Sequence, residues 1–172
     1  MNIAKYPVYN SVILDAPLEK VWQELRDMSK LIAIAFGDGI KDFMWVDGGS
    51  PEKVPSRYEL TLVPSGQKIV DEVIGRSESD HSVTYRSIIG GMLEGYVATY
   101  RLRPVTNEPG QTFLEWPREF GITQGGDPAV ILPIMAETTA GHVAALKKHF
   151  ARPCASTAVE PRIGRRARAA VP

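Results

Sequence analysis

The sequence predicts an α+β domain in which a curved antiparallel sheet of six to seven strands wraps around one long C-terminal helix. Two observations carry this prediction. Consecutive β-rich segments across residues 41–120 are joined by short turns rich in glycine, proline and asparagine, which is typical of antiparallel strands. The longest helical pattern comes after them, over residues 127–150, and its apolar stripe must be buried against the sheet.

One strand and two short helices are predicted before this run of strands. Residues 9–14 are β-branched and apolar-rich, as in a strand. Asp15 precedes an Ala-Pro pair and is a suitable N-cap for an amphipathic helix over residues 18–27. Ser29 is the expected cap of a second short helix over residues 31–36.

Six further strands are predicted from alternating or β-branched segments bounded by turn residues. The clearest is residues 57–63, where alternation places Tyr58 on one face and Arg57 on the other. The six predicted strands cover residues 41–46, 57–63, 68–76, 83–89, 94–103 and 112–120.

The long helix is predicted to begin after Asp127, which is an N-cap followed by a proline in the first turn. Thr138 and His142 lie on its apolar stripe. The domain is therefore expected to span residues 1–152. Residues 153–172 are rich in alanine, arginine and proline, and we predict a disordered basic tail.

Composition excludes several classes of protein. The 20 basic and 20 acidic residues balance, so nothing overall indicates binding to nucleic acid or to a membrane surface. The single cysteine, Cys154, cannot form an internal disulfide, and a reducing cytoplasm is the expected location. We find no signal-peptide pattern and no apolar run approaching the roughly 20 residues of a membrane span.

The sequence also lacks the motifs of the common cofactor sites. It has no P-loop, no dinucleotide fingerprint and no G-x-S-x-G nucleophile motif. His81, His142 and His149 show no metal-ligand spacing, and no Cys/His cluster occurs. We therefore expect neither a cofactor nor a metal.

The order of these segments resembles the START-like, helix-grip superfamily, also described as the polyketide cyclase/dehydrase group. The resemblance covers residues 11–150 and rests on SVILDAPLEKVWQELRD, VDEVIGRSESDHSVTYRSI, YVATYRLRPV and TFLEWPREF. It implies the helix-grip fold and an internal cavity. It does not imply one activity, because this fold carries lipid carriers, hormone receptors, cyclases and chaperone-binding domains.

Within the superfamily, the chain is similar to plant abscisic-acid receptors and their bacterial relatives. IIGGMLEGYVATYRL resembles the receptors' Gly-Gly latch and the strand after it, which implies that Tyr96 is a pocket residue. TFLEWPREF and VDEVI resemble strands with pocket glutamates, which implies Glu115 and Glu72. IKDFMW resembles the strand whose lysine meets the ligand carboxylate, which implies Lys41 and Phe43.

The receptors also carry a polar asparagine on the last helix, where His142 is the nearest match. Their latch histidine-arginine pair is replaced by Gly91 and Met92, and the gate at residues 64–67 lacks its leucine-proline. The resemblance therefore implies the pocket architecture rather than hormone perception. The predicted ligand-binding residues are Lys41, Phe43, Glu72, Tyr96, Glu115, Trp116, Thr138 and His142.

The residues alone leave alternatives open. Most lysines and glutamates are exposed, so Lys41 and Glu72 also fit a solvent-facing strand. Glu115 and Trp116 are adjacent and face opposite sides of a regular strand, unless Pro117 introduces a bulge. Cyclase members of the superfamily use a pocket arginine near the strand of Arg57, but alternation places Arg57 outside.

Three functions remain in competition. The first is binding of a small hydrophobic or aromatic molecule with a polar handle, by a monomer or a homodimer. The second is a polyketide cyclase/aromatase or dehydratase, with Glu72, Tyr96, Glu115 and His142 as candidates for proton transfer. The third is a protein-interaction module.

Overall fold

Seven strands and three helices make up the computed structural model, which describes residues 4–151. The strands are β1 Tyr6–Leu14, β2 Ile40–Val46, β3 Ser56–Leu62, β4 Lys68–Ser77, β5 Ser82–Ile89, β6 Leu93–Val105 and β7 Glu108–Ile122. The helices are α1 Leu18–Leu25, α2 Met28–Phe36 and α3 Pro128–His149. A 3-10 turn, Gly37–Gly39, joins α2 to β2. The predicted basic tail lies outside the described residues.

All seven strands form one antiparallel sheet in the order β1-β7-β6-β5-β4-β3-β2. From β2 to β7 each strand pairs with its sequence neighbour, as expected for strands joined by short turns. The first strand closes the sheet against the last, from the Tyr6–Phe120 pair to the Leu14–Thr112 pair. The helix α3 contacts α2 and β1. The predicted helix-grip α+β class is confirmed.

Local capping chemistry differs from the prediction at both short helices. Pro17, not Asp15, occupies the N-cap of α1, and the Asp15 carboxylate instead accepts a hydrogen bond of 2.8 Å from Gln111. Asp27, not Ser29, caps α2, because its carboxylate accepts the Ser29 backbone N–H at 2.9 Å. The α2 helix therefore begins at Met28, earlier than predicted.

The start of α3 agrees with the prediction. The Asp127 carboxylate accepts the backbone N–H of Ala129 at 2.9 Å, and Pro128 is the first helical residue. By length and by mean hydropathy, 1.4, α3 is a candidate membrane span, although no such span was expected from the sequence. Its buried residues are Ile131, Thr139, His142 and Leu146, and the helix contacts α2 and β1.

The strand β7 alternates regularly between a buried and an outer face. Trp116, Arg118 and Phe120 are buried, and the residues between them lie on the outer face. The pairing of β7 with β1 runs through Glu115, Trp116 and Pro117 without a register shift. No bulge therefore brings Glu115 to the inner side beside Trp116.

A buried apolar core joins the short helices to the sheet. Trp22 and Leu25 of α1 pack with Tyr100 of β6 and Leu114 of β7 in one cluster. The Tyr100 hydroxyl donates a hydrogen bond to the Leu25 carbonyl, which satisfies the polar end of a fully buried ring. This core fills one part of the space under the sheet, whereas the part between β3–β6 and α3 contains a cavity.

Candidate functional site

A cavity of about 220 Å³ lies between the sheet and the helices α2 and α3. Its wall is largely apolar, with Ile32 and Phe36 from α2, Leu60 and Leu62 from β3, and Met135 from α3 among its residues. A smaller set of polar side chains also lines it. They are Gln67, Asp71, Tyr85, Ser87, Tyr96, Thr138, Thr139 and His142.

Asp71 is the carboxylate of this cavity wall. It lies on β4 and is only 7% exposed. Its carboxylate accepts hydrogen bonds from the Ser87 hydroxyl at 2.5 Å and the Tyr58 hydroxyl at 3.1 Å. Burial raises the pKa of Asp71 to about 6, although both hydrogen bonds favour the ionised form. The carboxyl group therefore changes charge close to neutral pH.

His142 projects from α3 and is nearly buried. Its ring lies 4.1 Å from the Phe36 ring and 6.0 Å from the Trp116 ring, measured between centroids. Burial lowers the pKa of His142 to about 3, and the nearby Arg118 charge adds to this effect. The imidazole is therefore neutral at pH 7, with one nitrogen that donates and one that accepts.

Two tyrosines line the cavity on adjacent strands. The rings of Tyr85 and Tyr96 lie 6.1 Å apart, and Tyr96 stacks on Phe120 at 6.3 Å. Burial raises the pKa of both phenols, while the positive charge of Arg118 opposes this in each case. Both hydroxyls therefore stay protonated and can donate a hydrogen bond.

Arg118 is buried on the inner face of β7, with 3% of its surface exposed. Its guanidinium lies 3.9 Å from the centroid of the Trp116 ring. Nη1 donates to the Asn10 side-chain oxygen at 2.7 Å and to the Trp116 carbonyl at 3.2 Å. Nη2 and the indole Nε1 of Trp116 are buried and have no hydrogen-bond partner among residues 4–151.

The structure brings three of the eight predicted ligand-binding residues to the cavity wall, namely Tyr96, Thr138 and His142. Trp116 lies just behind the wall, against His142. Phe43 stacks on Tyr58, with 5.2 Å between ring centroids, and is not part of the wall.

The other three predicted residues lie away from the cavity. Glu72 is on the outer face of β4, in ion pairs with Arg57 at 2.9 Å and Arg86 at 2.6 Å. Glu115 is on the outer face of β7 and pairs with Arg101 at 3.0 Å. Lys41 is exposed on β2. The polar cluster expected from Lys41, Glu72 and Glu115 is therefore not assembled in the cavity.

Strand parity explains this outcome. Side chains of adjacent residues point to opposite faces, so a shift of one residue exchanges the inner and outer sets. Asp71 lines the cavity, whereas Glu72 lies on the opposite face, buried under its two arginine partners, and a register shift falls between Val70 and Asp71 on the neighbouring pairing. Arg57 lies outside with Glu72, as the alternation of β3 predicted.

Sequence reasoning missed Asp71, Ser87 and Arg118. A signal for Arg118 existed, because it is two residues from Trp116 and two from Phe120, and all three share one face. Residues 4–151 contain no group of three or more histidine, cysteine, aspartate or glutamate side chains that could hold a metal ion.

The curved sheet, the long helix and the cavity between them define a helix-grip protein. The family model described as polyketide cyclase / dehydrase and lipid transport matches residues 7–161. The chain belongs to this family. No curated protein sequence gives a match.

Several solved structures are similar to this protein over most of their length. A protein from Nitrosospira multiformis is 28% identical, with a TM-score of 0.68, over 85% of this chain and 97% of that one. A protein from Thermobifida fusca is 16% identical, with a TM-score of 0.67, over 84% and 92% of the two chains. Truncated norcoclaurine synthase from Thalictrum flavum is 12% identical, with a TM-score of 0.68, over 87% and 95%. At these identities the last two support the fold alone.

Proposed function

We propose that this protein binds a small hydrophobic or aromatic molecule with a polar group in the cavity between α3 and the sheet. The observation that carries the proposal is an apolar cavity whose wall contains a few convergent polar side chains, namely Asp71, Ser87, Tyr96 and His142. This combination is typical of sites that bind small molecules. Membership of the polyketide cyclase / dehydrase and lipid transport family agrees with it.

The size of the cavity limits the ligand. An apolar protein cavity of roughly 150 Å³ accommodates benzene. A cavity of about 220 Å³ therefore suits a compound of one or two rings better than a long acyl chain. Exposed Thr138 and Ile134 on α3 border the cavity and place one side of its opening at this helix.

A substitution that fills the opening tests this proposal. Thr138→Trp places a large side chain at the cavity wall, whereas Ala140→Trp places it at an exposed position outside the wall. We expect Thr138→Trp to weaken binding of two-ring ligands roughly tenfold or more, and Ala140→Trp to leave it unchanged. Ligand-observed NMR with naphthols, naphthoates and naphthamides provides the measurement, and thermal unfolding checks that both variants fold.

Two results would reject ligand binding in the cavity. One is equal weakening by the two tryptophan substitutions. The other is that none of the aromatic compounds binds the wild-type protein and native mass spectrometry finds no retained small molecule, which would favour the protein-interaction module instead.

The alternative function is a polyketide cyclase/aromatase or dehydratase. One observation favours it: Asp71 and His142 line the same cavity, and burial moves the two pKa values in opposite directions, to about 6 and about 3. Near neutral pH the Asp71 carboxylate could accept a proton from carbon next to a carbonyl. The Tyr96 hydroxyl would donate the proton with which the departing hydroxyl leaves as water, and the N–H of neutral His142 would hydrogen-bond the substrate.

Adjacent carboxylates provide a matched test of catalysis. Asp71→Asn removes the cavity carboxylate, whereas Glu72→Gln removes its neighbour on the outer face. In dehydration of an aryl β-hydroxyketone to its enone, we expect Asp71→Asn to lower kcat by about 100-fold or more with KM unchanged. Glu72→Gln should retain kcat. No turnover by the wild type above the uncatalysed rate would reject this alternative for that substrate class and leave the binding function.

A further inference from the structure

Beside the cavity, two hydrogen-bond donors find no acceptor in the part of the chain that the structure describes. Arg118 Nη2 and Trp116 Nε1 are both buried, and the Arg118 guanidinium stacks on the Trp116 ring at 3.9 Å. Buried donors are almost always paired, because an unpaired one costs free energy comparable to a lost hydrogen bond. Their position on one stacked pair of side chains therefore needs an explanation.

The charge of Arg118 is also uncompensated. Within residues 4–151 it makes no ion pair, and its partners are all neutral: the Asn10 side chain, a carbonyl and the nearby Tyr96 hydroxyl, whose pKa it lowers. The neighbouring glutamates of β7 are on the outer face, where Glu115 pairs with Arg101 and Glu119 with Lys5. A buried cation without an anion is costly, so an anion from another source would stabilise this region.

Two cavity-lining side chains are close to this cation: the Trp116 ring that contacts the guanidinium also lies 6.0 Å from the His142 ring, and Tyr96 stacks on Phe120, two residues from Arg118. Arg118 lowers the pKa of both Tyr96 and His142, although burial is the larger influence on each, so its charge reaches both groups. Tyr96 and His142 belong to the cavity wall, whereas Arg118 and Trp116 do not. Arg118 therefore acts from behind Tyr96 and His142.

Asp71 makes the cavity electrically asymmetric. It lies on β4 with its oxygens already bonded to Ser87 and Tyr58. The two charged groups near the cavity are thus a carboxyl group on β4 and a guanidinium on β7.

We propose that the ligand is an aromatic acid whose ionised oxygen binds beside Tyr96 and His142, where Arg118 supplies the compensating positive charge. This inference rests on the proposed function and specifies its ligand class. Tyr96 donates a hydrogen bond to the anion, and neutral His142 can donate a second. Arg118 does not contact the ligand in this arrangement. Its positive charge stabilises the anion that Tyr96 and His142 bind, so it is a positioning residue.

A pair of ligands with the same shape tests the proposal. Naphthoate is ionised at neutral pH and naphthamide is not, so the ratio of their affinities reports the charge preference of the site. In the wild type we expect naphthoate to bind about tenfold more tightly than naphthamide, since charge-assisted hydrogen bonds contribute more than neutral ones. If Arg118 had only a structural role, replacing it would change both affinities together and leave their ratio unchanged.

Three variants test whether Arg118 causes this preference. Arg118→Gln should bring the affinity ratio close to one, and Arg118→Lys should restore part of it. Arg103→Gln removes an equal charge from an exposed position on β6 and should keep the wild-type ratio. If Arg118→Gln fails to fold, the pKa of the bound acid, measured by NMR of a ¹³C-labelled carboxyl group, should still lie below its free value in the wild type.

The outcomes separate this inference from the function on which it rests. Binding of naphthol and naphthamide without a preference for naphthoate would overturn the anion site and retain the ligand-binding cavity. The same holds for a ratio that Arg118→Gln leaves unchanged. Failure of all these aromatic compounds to bind would overturn both proposals.

Discussion

Lowering the pH from about 7.5 to about 4 should reduce the unfolding free energy of the wild type by about 3 kcal/mol more than that of His142→Gln. The imidazole is buried against Phe36 and Trp116, so its pKa falls from the ordinary 6.5 to about 3. The unfolded chain therefore binds a proton that the folded chain excludes.

The direction of this change in unfolding free energy follows from the difference in the number of protons bound by the folded and unfolded chains. Below the unfolded pKa of 6.5, protonation of the unfolded chain favours unfolding, and the penalty grows as the pH falls towards 3. Glutamine stays neutral and has no such penalty. Urea denaturation of both proteins at several pH values gives the difference. Parallel curves would show that His142 is solvated in the folded protein.

The prediction of strand order and of α3 from sequence succeeded because these features depend on local chemistry. Short turns force neighbouring strands to pair antiparallel, and Asp127 with Pro128 can begin a helix whatever surrounds them. The capping of α1 failed for the opposite reason. The Asp15 carboxylate binds Gln111, a residue 96 positions away, and no local pattern indicates that contact.

The candidate site was harder to predict because it depends on which face of each strand is buried. In β2 a register shift between Lys41 and Met44, with a positive φ of 55° at Asp42, interrupts simple alternation. In β4 a similar shift precedes Asp71. If the predicted alternation is wrong by one residue in such a strand, Glu72 is assigned to the cavity in place of Asp71, although Glu72 forms ion pairs on the outer face.

Arg118 was missed for a different reason. Arginine is rarely buried, so a sequence gives little cause to place one inside a domain. Only the regular alternation of β7 from Trp116 to Phe120, once its face is known, brings the guanidinium to the inner side.

Asp71→Asn should produce a pH dependence opposite to that of His142→Gln. Burial raises the pKa of Asp71 from 3.8 to about 6, so the folded protein holds this proton more tightly than the unfolded chain. The resulting stability is fully present below the unfolded pKa and is lost as the pH rises through about 6. The shift of about 2 pKa units corresponds to about 3 kcal/mol.

The asparagine variant lacks this loss, so between about pH 3.5 and about pH 7.5 the wild type should lose about 3 kcal/mol of unfolding free energy relative to Asp71→Asn. The comparison is conservative, because the Tyr58 and Ser87 hydroxyls can each donate or accept and so can hydrogen-bond the amide. Glu72→Gln provides the adjacent control. Two arginines lower the pKa of Glu72, so the wild type should gain stability relative to Glu72→Gln as the pH rises. A shift in the same direction for Asp71→Asn and Glu72→Gln would mean that the pKa of Asp71 is lowered rather than raised, and no shift for Asp71→Asn would mean that its pKa is ordinary.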